Sequence, residues 1–195
     1  MTGLEAALAT LVGRLGAFGQ RLALIGGLAV SARTEPRFTR DVDLAVAVPD
    51  DRAAEALVQR FVAEGYRTLA LVEQEKTHRL ATVRLVLPGH DARGIVADVL
   101  FASSGIEPEV VADAEPLRVF PTIVLPVARV GHLIALKLLS RDDAMRPQDH
   151  VDLRALFDVA DDVEIERARA AVALIAARGF SRGRDLAAML QAWLG

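Results

Sequence analysis

The segment LALIGGLAVSARTEPRFTRDVDLAVAV, residues 22–48, contains two short apolar runs separated by a glycine pair and a charged stretch. The first run ends at Gly26 and Gly27, and the second begins after Asp41 and contains Asp43. Short apolar runs bounded by glycine and proline are typical of buried strands, and the intervening residues have helical character. The segment therefore predicts a strand, a short helix and a second strand, with carboxylates where the second strand begins.

Outward from this segment, hydrophobic spacing predicts a mixed α/β region followed by helices. The predicted helices of the first region are 4–18 and 51–64, and the predicted strands are 67–73, 79–87, 94–101 and 117–126. The later helices are predicted near 128–142, 147–160, 163–178 and 183–194. This order of elements favours a mixed sheet over a purely parallel one. We therefore expect an α+β fold: a small mixed β-sheet with flanking helices in residues 1–126, and a C-terminal helical bundle in residues 127–195.

Composition excludes several classes of protein. A chain of 195 residues with a net charge of −3 suits one folded domain and does not coat nucleic acid by charge alone. The absence of Cys excludes disulfides, thiolate metal sites and a cysteine nucleophile. Apolar runs stay below the roughly 18 residues that span a bilayer, and no basic leader begins the chain. We expect a cytoplasmic protein with no membrane partner.

Three aspartates form the strongest chemical signal. Asp41 and Asp43 are two residues apart in a predicted strand, so both side chains point to one face. Two such carboxylates repel each other unless a cation lies between them, and Mg²⁺ suits carboxylate oxygens. Asp98 stands alone in the apolar strand IVADVLF. It is either a third carboxylate of a two-metal site or the ion-pair partner of an arginine.

Candidate phosphate-binding groups lie in the same segment as Asp41 and Asp43, residues 22–48. A strand-to-helix turn at Gly26 and Gly27 presents backbone N–H groups with the helix dipole behind them, which favours a phosphate. Ser31, one turn later, offers a hydroxyl or is an ordinary surface residue of the helix. Arg37 and Arg40 either contact a nucleotide or acceptor phosphate or are solvated.

Four stretches of the chain resemble the DNA polymerase β-like nucleotidyltransferase superfamily, and within it most closely the AbiEii-type nucleotidyltransferase toxins. The superfamily pattern is a glycine pair, a spacer, Asp-x-Asp and a distant third Asp. The likeness extends over roughly residues 20–160. It is carried by LIGGLAVSAR, RFTRDVDLAV, IVADVLF and LPVARVGHLIALKLLSRDDAMRPQDHVDLRALF.

The resemblance assigns roles to residues of the predicted sheet region. It implies that Asp41, Asp43 and Asp98 are the metal ligands for two Mg²⁺ ions, or Mn²⁺, and that Asp98 is also the candidate general base. The glycine pair becomes the cradle of the triphosphate. Leu28 stands where many members have Ser or Thr, so phosphate contacts would depend on backbone N–H groups, the Ser31 hydroxyl or basic side chains.

Further roles fall on the first two helices of the C-terminal region. Lys137 matches a late helical lysine expected to contact nucleotide phosphates, although it also lies on an apolar stripe from which it could snorkel to solvent. Arg141 is one turn further along that face. Asp149 and Asp152 match acidic positions of the next helix, as acceptor-site or supporting residues, or they are structural carboxylates paired with Arg146 or Arg154.

The expected reaction is the transfer of a nucleoside monophosphate from an NTP to a hydroxyl, with release of pyrophosphate. The resemblance implies a toxin with a cognate antitoxin protein, and the 3′ end of tRNA or another RNA as acceptor. One alternative is a small-molecule nucleotidyltransferase that acts on an aminoglycoside. Another is a non-catalytic module of the same fold that binds a nucleotide or a protein.

Overall fold

The computed structural model describes residues 3–74, 78–89, 95–141 and 148–195. The helices are α1 Gly3–Ala17, α2 Gly26–Arg33, α3 Asp51–Ala63, α4 Glu107–Ala112, α5 Val130–Ser140, α6 Gln148–Val159, α7 Asp162–Ala177 and α8 Leu186–Leu194. The strands are β1 Leu22–Ile25, β2 Val42–Val46, β3 Arg67–Glu73, β4 Leu80–Val86, β5 Val96–Leu100, β6 Glu115–Phe120 and β7 Ile123–Val127.

The seven strands form one sheet in the order β3-β4-β5-β2-β1-β7-β6. Strand β2 runs parallel to β5 and antiparallel to β1, while β1 runs parallel to β7, so the sheet is mixed. Val42 and Leu44 of β2 are buried, and the alternate Asp43 is partly open to solvent. This alternation fixes which face of the sheet carries carboxylates. The expected α+β fold is confirmed.

Two sequence predictions were wrong in detail. The stretch predicted as one extended segment at 117–126 is a hairpin, because β6 and β7 pair antiparallel around Pro121 and Thr122. Residues 107–112 were not predicted as helical, but they form α4, with Val110 and Val111 buried. A helix of six residues is too short to show a helical period, so packing rather than pattern defines it. Residues 142 and 147, the ends of two predicted helices, lie outside the described residues.

The C-terminal helices meet the sheet region where α5 and α6 both contact α2. Gly131 of α5 lies so close to α7 that a Cβ there would meet the backbone of Glu164 and Ala168. The Glu164 carboxylate accepts hydrogen bonds from the Gly131 N–H and from Arg129, which joins the two helices. Buried apolar side chains from α1 to α8 form one cluster. The boundary at residues 126 and 127 stays a prediction.

Within the described ranges, no helix has both the length and the apolar character needed to cross a membrane.

Candidate active site

A cavity of about 460 Å³ opens between the sheet and helix α5, where β1 passes into α2. Gly26 and Gly27 form part of its wall. One set of lining side chains is charged, and it comprises Asp43, Arg84, Asp98, Lys137, Asp149 and Arg182. Another set is apolar, and it comprises Ala70, Val72, Leu100, Leu133, Leu136 and Leu139. Such a cleft, with a few convergent polar groups in an apolar frame, is typical of a ligand site.

The strand register places five side chains in one row across the sheet. Asp43 of β2 lies opposite Asp98 of β5, and Asp98 lies opposite Arg84 of β4. Ala70 of β3 lies opposite Arg84 at one end of the row, and Ile25 of β1 lies opposite Asp43 at the other. Residues directly opposite each other point to the same face, so the two carboxylates and the guanidinium share the floor of the cavity. The spatial adjacency of Asp43 and Asp98 is thus a property of the sheet.

Asp98 is held by Arg84. The guanidinium donates from Nε to Oδ1 at 2.8 Å and from Nη2 to Oδ2 at 2.6 Å, so both carboxylate oxygens are engaged. The ion pair is one of the two alternatives left open by the sequence context of Asp98, and its role as a metal ligand stays a prediction. It is next to Asp43, and it is also the ion-pair partner of an arginine.

The surroundings of Asp43 favour the protonated form of its carboxyl group. Burial, followed by the negative charges of Asp98 and Asp41, raises the pKa of Asp43 to about 7. Lys137 and Arg84 act in the opposite direction but do not outweigh these effects. Asp41 directly precedes β2 and is partly exposed. The three carboxylates are close enough to interact and lack sufficient positive charge between them.

The glycine pair forms the first turn of α2 rather than a loop before it. Gly26 has φ +65°, and a Cβ at this position would overlap the Asp43 carboxylate. A Cβ at Gly27 would come within 2.8 Å of the Arg37 guanidinium. Ile25, which precedes the helix, provides no side-chain cap. The first turn of α2 therefore lines the cavity next to the Asp43 carboxylate, and an uncapped helix N-terminus of this kind suits a phosphate.

Arg37, Lys137, Asp149 and Asp152 form a second charged group, here called the Asp152 cluster. Arg37 donates from Nε and Nη2 to the two oxygens of Asp152 at 2.6 and 2.7 Å. The Lys137 ammonium lies 2.7 Å from Asp149 Oδ1 and 2.8 Å from Asp152 Oδ2. The ammonium thus lies in the cavity wall between carboxylates, rather than extending from the core edge to solvent.

Asp152 is the centre of this cluster and is 1% exposed. Burial alone would raise the pKa of Asp152, but the hydrogen bonds from Arg37 and Lys137 outweigh it and lower the pKa. The charged partners of Asp152 among the described residues are thus Arg37 and Lys137 rather than the predicted Arg154, while Arg146, the other predicted partner, lies outside the described residues. Asp149 Oδ2 is buried and has no hydrogen-bond partner among the described residues.

Three predicted nucleotide-binding residues have other observed contacts. The Ser31 hydroxyl accepts from the Arg37 backbone N–H at 3.3 Å and so holds the segment before β2. The Arg40 guanidinium lies 5.5 Å from the centre of the Phe38 ring. Arg141 follows α5, and its carbonyl accepts from Arg184 at 2.5 Å. Their roles toward a nucleotide stay predictions.

The carboxylates Asp41, Asp43 and Asp98 suit a hard divalent cation such as Mg²⁺ by their chemistry. In the described part of the chain, however, no three acidic or imidazole side chains are already arranged to hold a metal ion. Both oxygens of Asp98 are bonded to Arg84. The donor set therefore fits the cation on the condition that this guanidinium moves off at least one oxygen.

Sequence reasoning missed two arginines of the cavity. Arg84 is the lone charge in the apolar strand LATVRLV, just as Asp98 is in its own strand, and that symmetry was an available signal. Arg182 follows α7 and reaches back to bond the hydroxyl of Ser103 at 2.9 Å. Nothing in the local sequence around Arg182 indicates this contact.

The fold is that of nucleotidyltransferases. A nucleotidyltransferase-like antigenic protein from Paracoccidioides brasiliensis superposes with a TM-score of 0.55 at 17% identity, over 97% of this chain and 92% of that one. ANT(2″)-Ia, solved in complex with adenylyl-2″-tobramycin, gives a TM-score of 0.57 at 15% identity, over 91% of this chain and 99% of that one. At these identities the likeness concerns the fold alone.

The chain belongs to the AbiEii family. The model of that family, described as nucleotidyl transferase AbiEii toxin of a type IV toxin–antitoxin system, matches residues 10–192. The resemblance drawn from the sequence is confirmed, and it extends over the C-terminal helices as well. No curated protein matches the chain by sequence. Nucleotidyl transfer is therefore the reaction class that family and fold support.

Proposed function

We propose that this protein is the toxin of a toxin–antitoxin pair and transfers a nucleoside monophosphate from an NTP to the 3′ end of tRNA. The reaction releases pyrophosphate, requires Mg²⁺ or Mn²⁺, and takes place in the cytoplasm, where a cognate antitoxin protein opposes it. The observation that carries the proposal is the row of Asp43 and Asp98 beside the first turn of α2. Carboxylates and a helix N-terminus at one cavity can hold a cation and a triphosphate together.

Each group of the cavity has a part in this reaction. Asp41, Asp43 and Asp98 would hold the cation, which when bound supplies positive charge to the triphosphate and lowers the pKa of an attacking hydroxyl. The N–H groups of α2 and the Lys137 ammonium bind phosphate oxygens. Asp98 accepts the proton of the acceptor hydroxyl. Most of the rate enhancement comes from positioning and charge neutralisation.

The charge balance of the cavity wall supports an RNA acceptor over a polycation. The Asp152 cluster pairs two carboxylates with two cations, so it offers no net negative pocket for an aminoglycoside. One observation favours the aminoglycoside alternative, because Asp149 lines the cavity and its Oδ2 has no partner among the described residues. A non-catalytic module is the third candidate, and the three carboxylates beside the cavity argue against it.

The test is transfer of label from NTP to acceptor. The purified protein is incubated with Mg²⁺, total bacterial RNA and each NTP in turn, labelled at the α-phosphate. Label is expected in RNA of tRNA size, and Asp43→Ala is expected to abolish it. Asp158→Ala removes an exposed carboxylate of α6 and is the matched control, which should keep full activity.

The outcomes separate the three candidates. Label on RNA that EDTA prevents would support the proposal and name the transferred base. Release of pyrophosphate only when an aminoglycoside is supplied would move the function to the small-molecule enzyme. NTP binding in a titration, with no release of pyrophosphate with either acceptor, would leave the nucleotide-binding module.

A further inference from the structure

Phe38 is the most exposed of the large apolar side chains that the structure describes, with 79% of its surface open to solvent. It lies between α2 and β2, three residues before Asp41. Three residues of chain span no more than about 11 Å, so the backbone of Phe38 lies within that distance of Asp41. A single exposed aromatic ring is ordinary, and its meaning depends on how it is held and on its neighbours.

The backbone around Phe38 is fixed by contacts on both sides. Arg37 and Thr39 turn inward, because a Cβ at Gly27 would lie 2.8 Å from the Arg37 guanidinium and 2.9 Å from the Thr39 hydroxyl. Arg37 is bound to Asp152, and its Nη1 also donates to the Phe38 carbonyl at 3.0 Å. Since alternate side chains of an extended segment point to opposite sides, Phe38 and Arg40 are directed outward.

Arg40 complements the ring with a positive charge. Its guanidinium lies 5.5 Å from the centre of the Phe38 ring, which is the range of a cation–π contact. Both side chains are exposed, whereas Gly27, which their inward neighbours touch, lines the cavity. An anchored ring and a cation therefore stand together on the outer side of a segment whose inner side contacts the cavity wall at Gly27.

We infer that Phe38 and Arg40, here called the Phe38 platform, receive the single-stranded end of the acceptor RNA. An unpaired nucleobase stacks on the ring, and the guanidinium meets a backbone phosphate next to it. Stacking of bases on exposed aromatic rings beside cations is the general way in which proteins bind single-stranded nucleic acid. The inference rests on the proposed function, because it assumes an RNA acceptor at this cavity.

The setting of the ring favours nucleic acid over a protein partner. Interfaces with proteins have an apolar core that is depleted in charged residues. Phe38 instead lies in the sequence PRFTRD, with an arginine on each side and an aspartate close behind. A flat π-face beside positive charge complements a base and its phosphate, and this pairing explains why so much apolar surface stays open here.

Binding and transfer with altered Phe38 test the inference. The probe is a synthetic RNA hairpin with an unpaired four-nucleotide 3′ tail and a 5′ fluorescein, followed by anisotropy without NTP. Phe38→Ala and Phe38→Leu are each expected to weaken binding about tenfold or more, because neither residue has a π-face. Phe38→Tyr should bind within about twofold of the parent protein, since it keeps the ring. Val163→Ala, which removes an exposed apolar side chain from α7, should change nothing.

A tryptophan at the platform reports stacking directly. Trp193 is the only Trp of the chain and stacks on Phe157, so Trp193→Phe keeps that contact and removes its emission. Adding Phe38→Trp then places the sole emitter at the platform. Its fluorescence should be quenched by the tailed hairpin and unchanged by a blunt hairpin. Arg40→Gln should reduce the slope of log affinity against log salt by about one.

Each remaining outcome overturns the inference in a distinguishable way. If the parent protein binds and labels RNA and Phe38→Ala does so equally well, the platform is wrong and the proposed function stands. If the parent protein neither binds nor labels RNA while a fluorescent ATP analogue binds, the RNA acceptor and the platform are both wrong. If Phe38→Ala keeps its RNA affinity but loses a copurifying protein, the ring belongs to a protein interface.

Discussion

Arg84 and Asp98 face each other on β4 and β5, and two hydrogen bonds join the guanidinium to both oxygens of the carboxylate. These bonds, against an opposing effect of burial, raise the pKa of Arg84 above its ordinary value. On its other side Asp98 lies opposite Asp43. The Asp98 carboxylate therefore lies between the Arg84 guanidinium and Asp43, beside which the metal ion is proposed to bind.

Replacing Arg84 should strengthen metal binding. In Arg84→Gln the Asp98 oxygens lose the guanidinium that competes with the metal ion. The Mn²⁺ affinity is expected to rise about fivefold, because that factor corresponds to the free energy of a partly exposed ion pair. Titration of Mn²⁺ followed by electron paramagnetic resonance, without nucleotide, measures this change. Arg169→Gln removes an arginine paired with Glu166 on the surface of α7 and should leave the affinity unchanged. Weaker Mn²⁺ binding in Arg84→Gln would mean that Arg84 supports the metal site.

Asp43→Asn should stabilise the protein while abolishing transfer. The carboxyl pKa rises from 3.8 to about 7 on folding, so the unfolded chain releases a proton that the folded protein retains. Stability is lost as pH rises from about 4 to 7, and the loss is complete above 7. The Asn side chain carries no such penalty. The free energy of unfolding of the variant should therefore exceed that of the parent protein by on the order of 2 kcal/mol at pH 8, and by much less at pH 4.5.

Urea unfolding in EDTA at the two pH values measures this difference. Asp158→Asn, at an exposed position of α6, is the control for removing one carboxylate. Equal stability of Asp43→Asn and the parent protein at pH 8 would show that burial and the neighbouring carboxylates do not penalise the charge of Asp43.

Gly26→Ala should disrupt the site, and Gly13→Ala should not. A Cβ at Gly26 would overlap the Asp43 carboxylate and would force a non-glycine residue to φ +65°, so a loss of about 2–4 kcal/mol is expected. Nothing lies within 4 Å of a Cβ at Gly13 in α1. There alanine should raise the free energy of unfolding by up to about 1 kcal/mol. Urea midpoints compare the two, and a tolerated Gly26→Ala would refute the close approach of Asp43.

His132 should make the protein less stable in mild acid. The side chain is 4% exposed, and burial lowers its pKa, although Asp113 among other nearby charges acts in the opposite direction. Below the ordinary histidine pKa of about 6.5, the unfolded chain takes up a proton that the folded protein resists. Stability is therefore full above that pH and falls as the pH is lowered. His132→Gln should show a flatter decline between pH 7 and 5, and identical slopes would contradict this.

The part of the site between Gly26 and Asp43 could be predicted from the sequence because its residues are close together in the chain. The glycine pair, the Asp41 and Asp43 spacing and the strands that carry them are properties of one short segment. The place of Asp98 depends on β5 lying beside β2, and hydrophobic period does not encode the order of strands in a sheet. The family resemblance supplied that step. Arg84 was missed because its role depends on the register between two strands.

Contacts over long sequence separations account for the other differences. Arg37 and Asp152 are 115 residues apart, and neither has a local feature that selects the other. Two arginines are close to Asp152 in sequence, Arg146 and Arg154, and these were the partners that the sequence predicted. Burial determines the partners of Asp152 instead, because a carboxylate that is 1% exposed must be paired with cations that the fold places beside it.

The ion pair of Arg37 and Asp152 links the segment before β2 to a helix near the end of the chain. During divergence of the family, a change at position 37 alone would leave the buried Asp152 carboxylate with Lys137 but without its bidentate arginine. A change at position 152 alone would leave the Arg37 guanidinium beside Gly27 without its carboxylate. The two positions should therefore be exchanged together among relatives. Chimeras that join the first half of one family member to the helices of another should fold best when both halves inherit a matched pair.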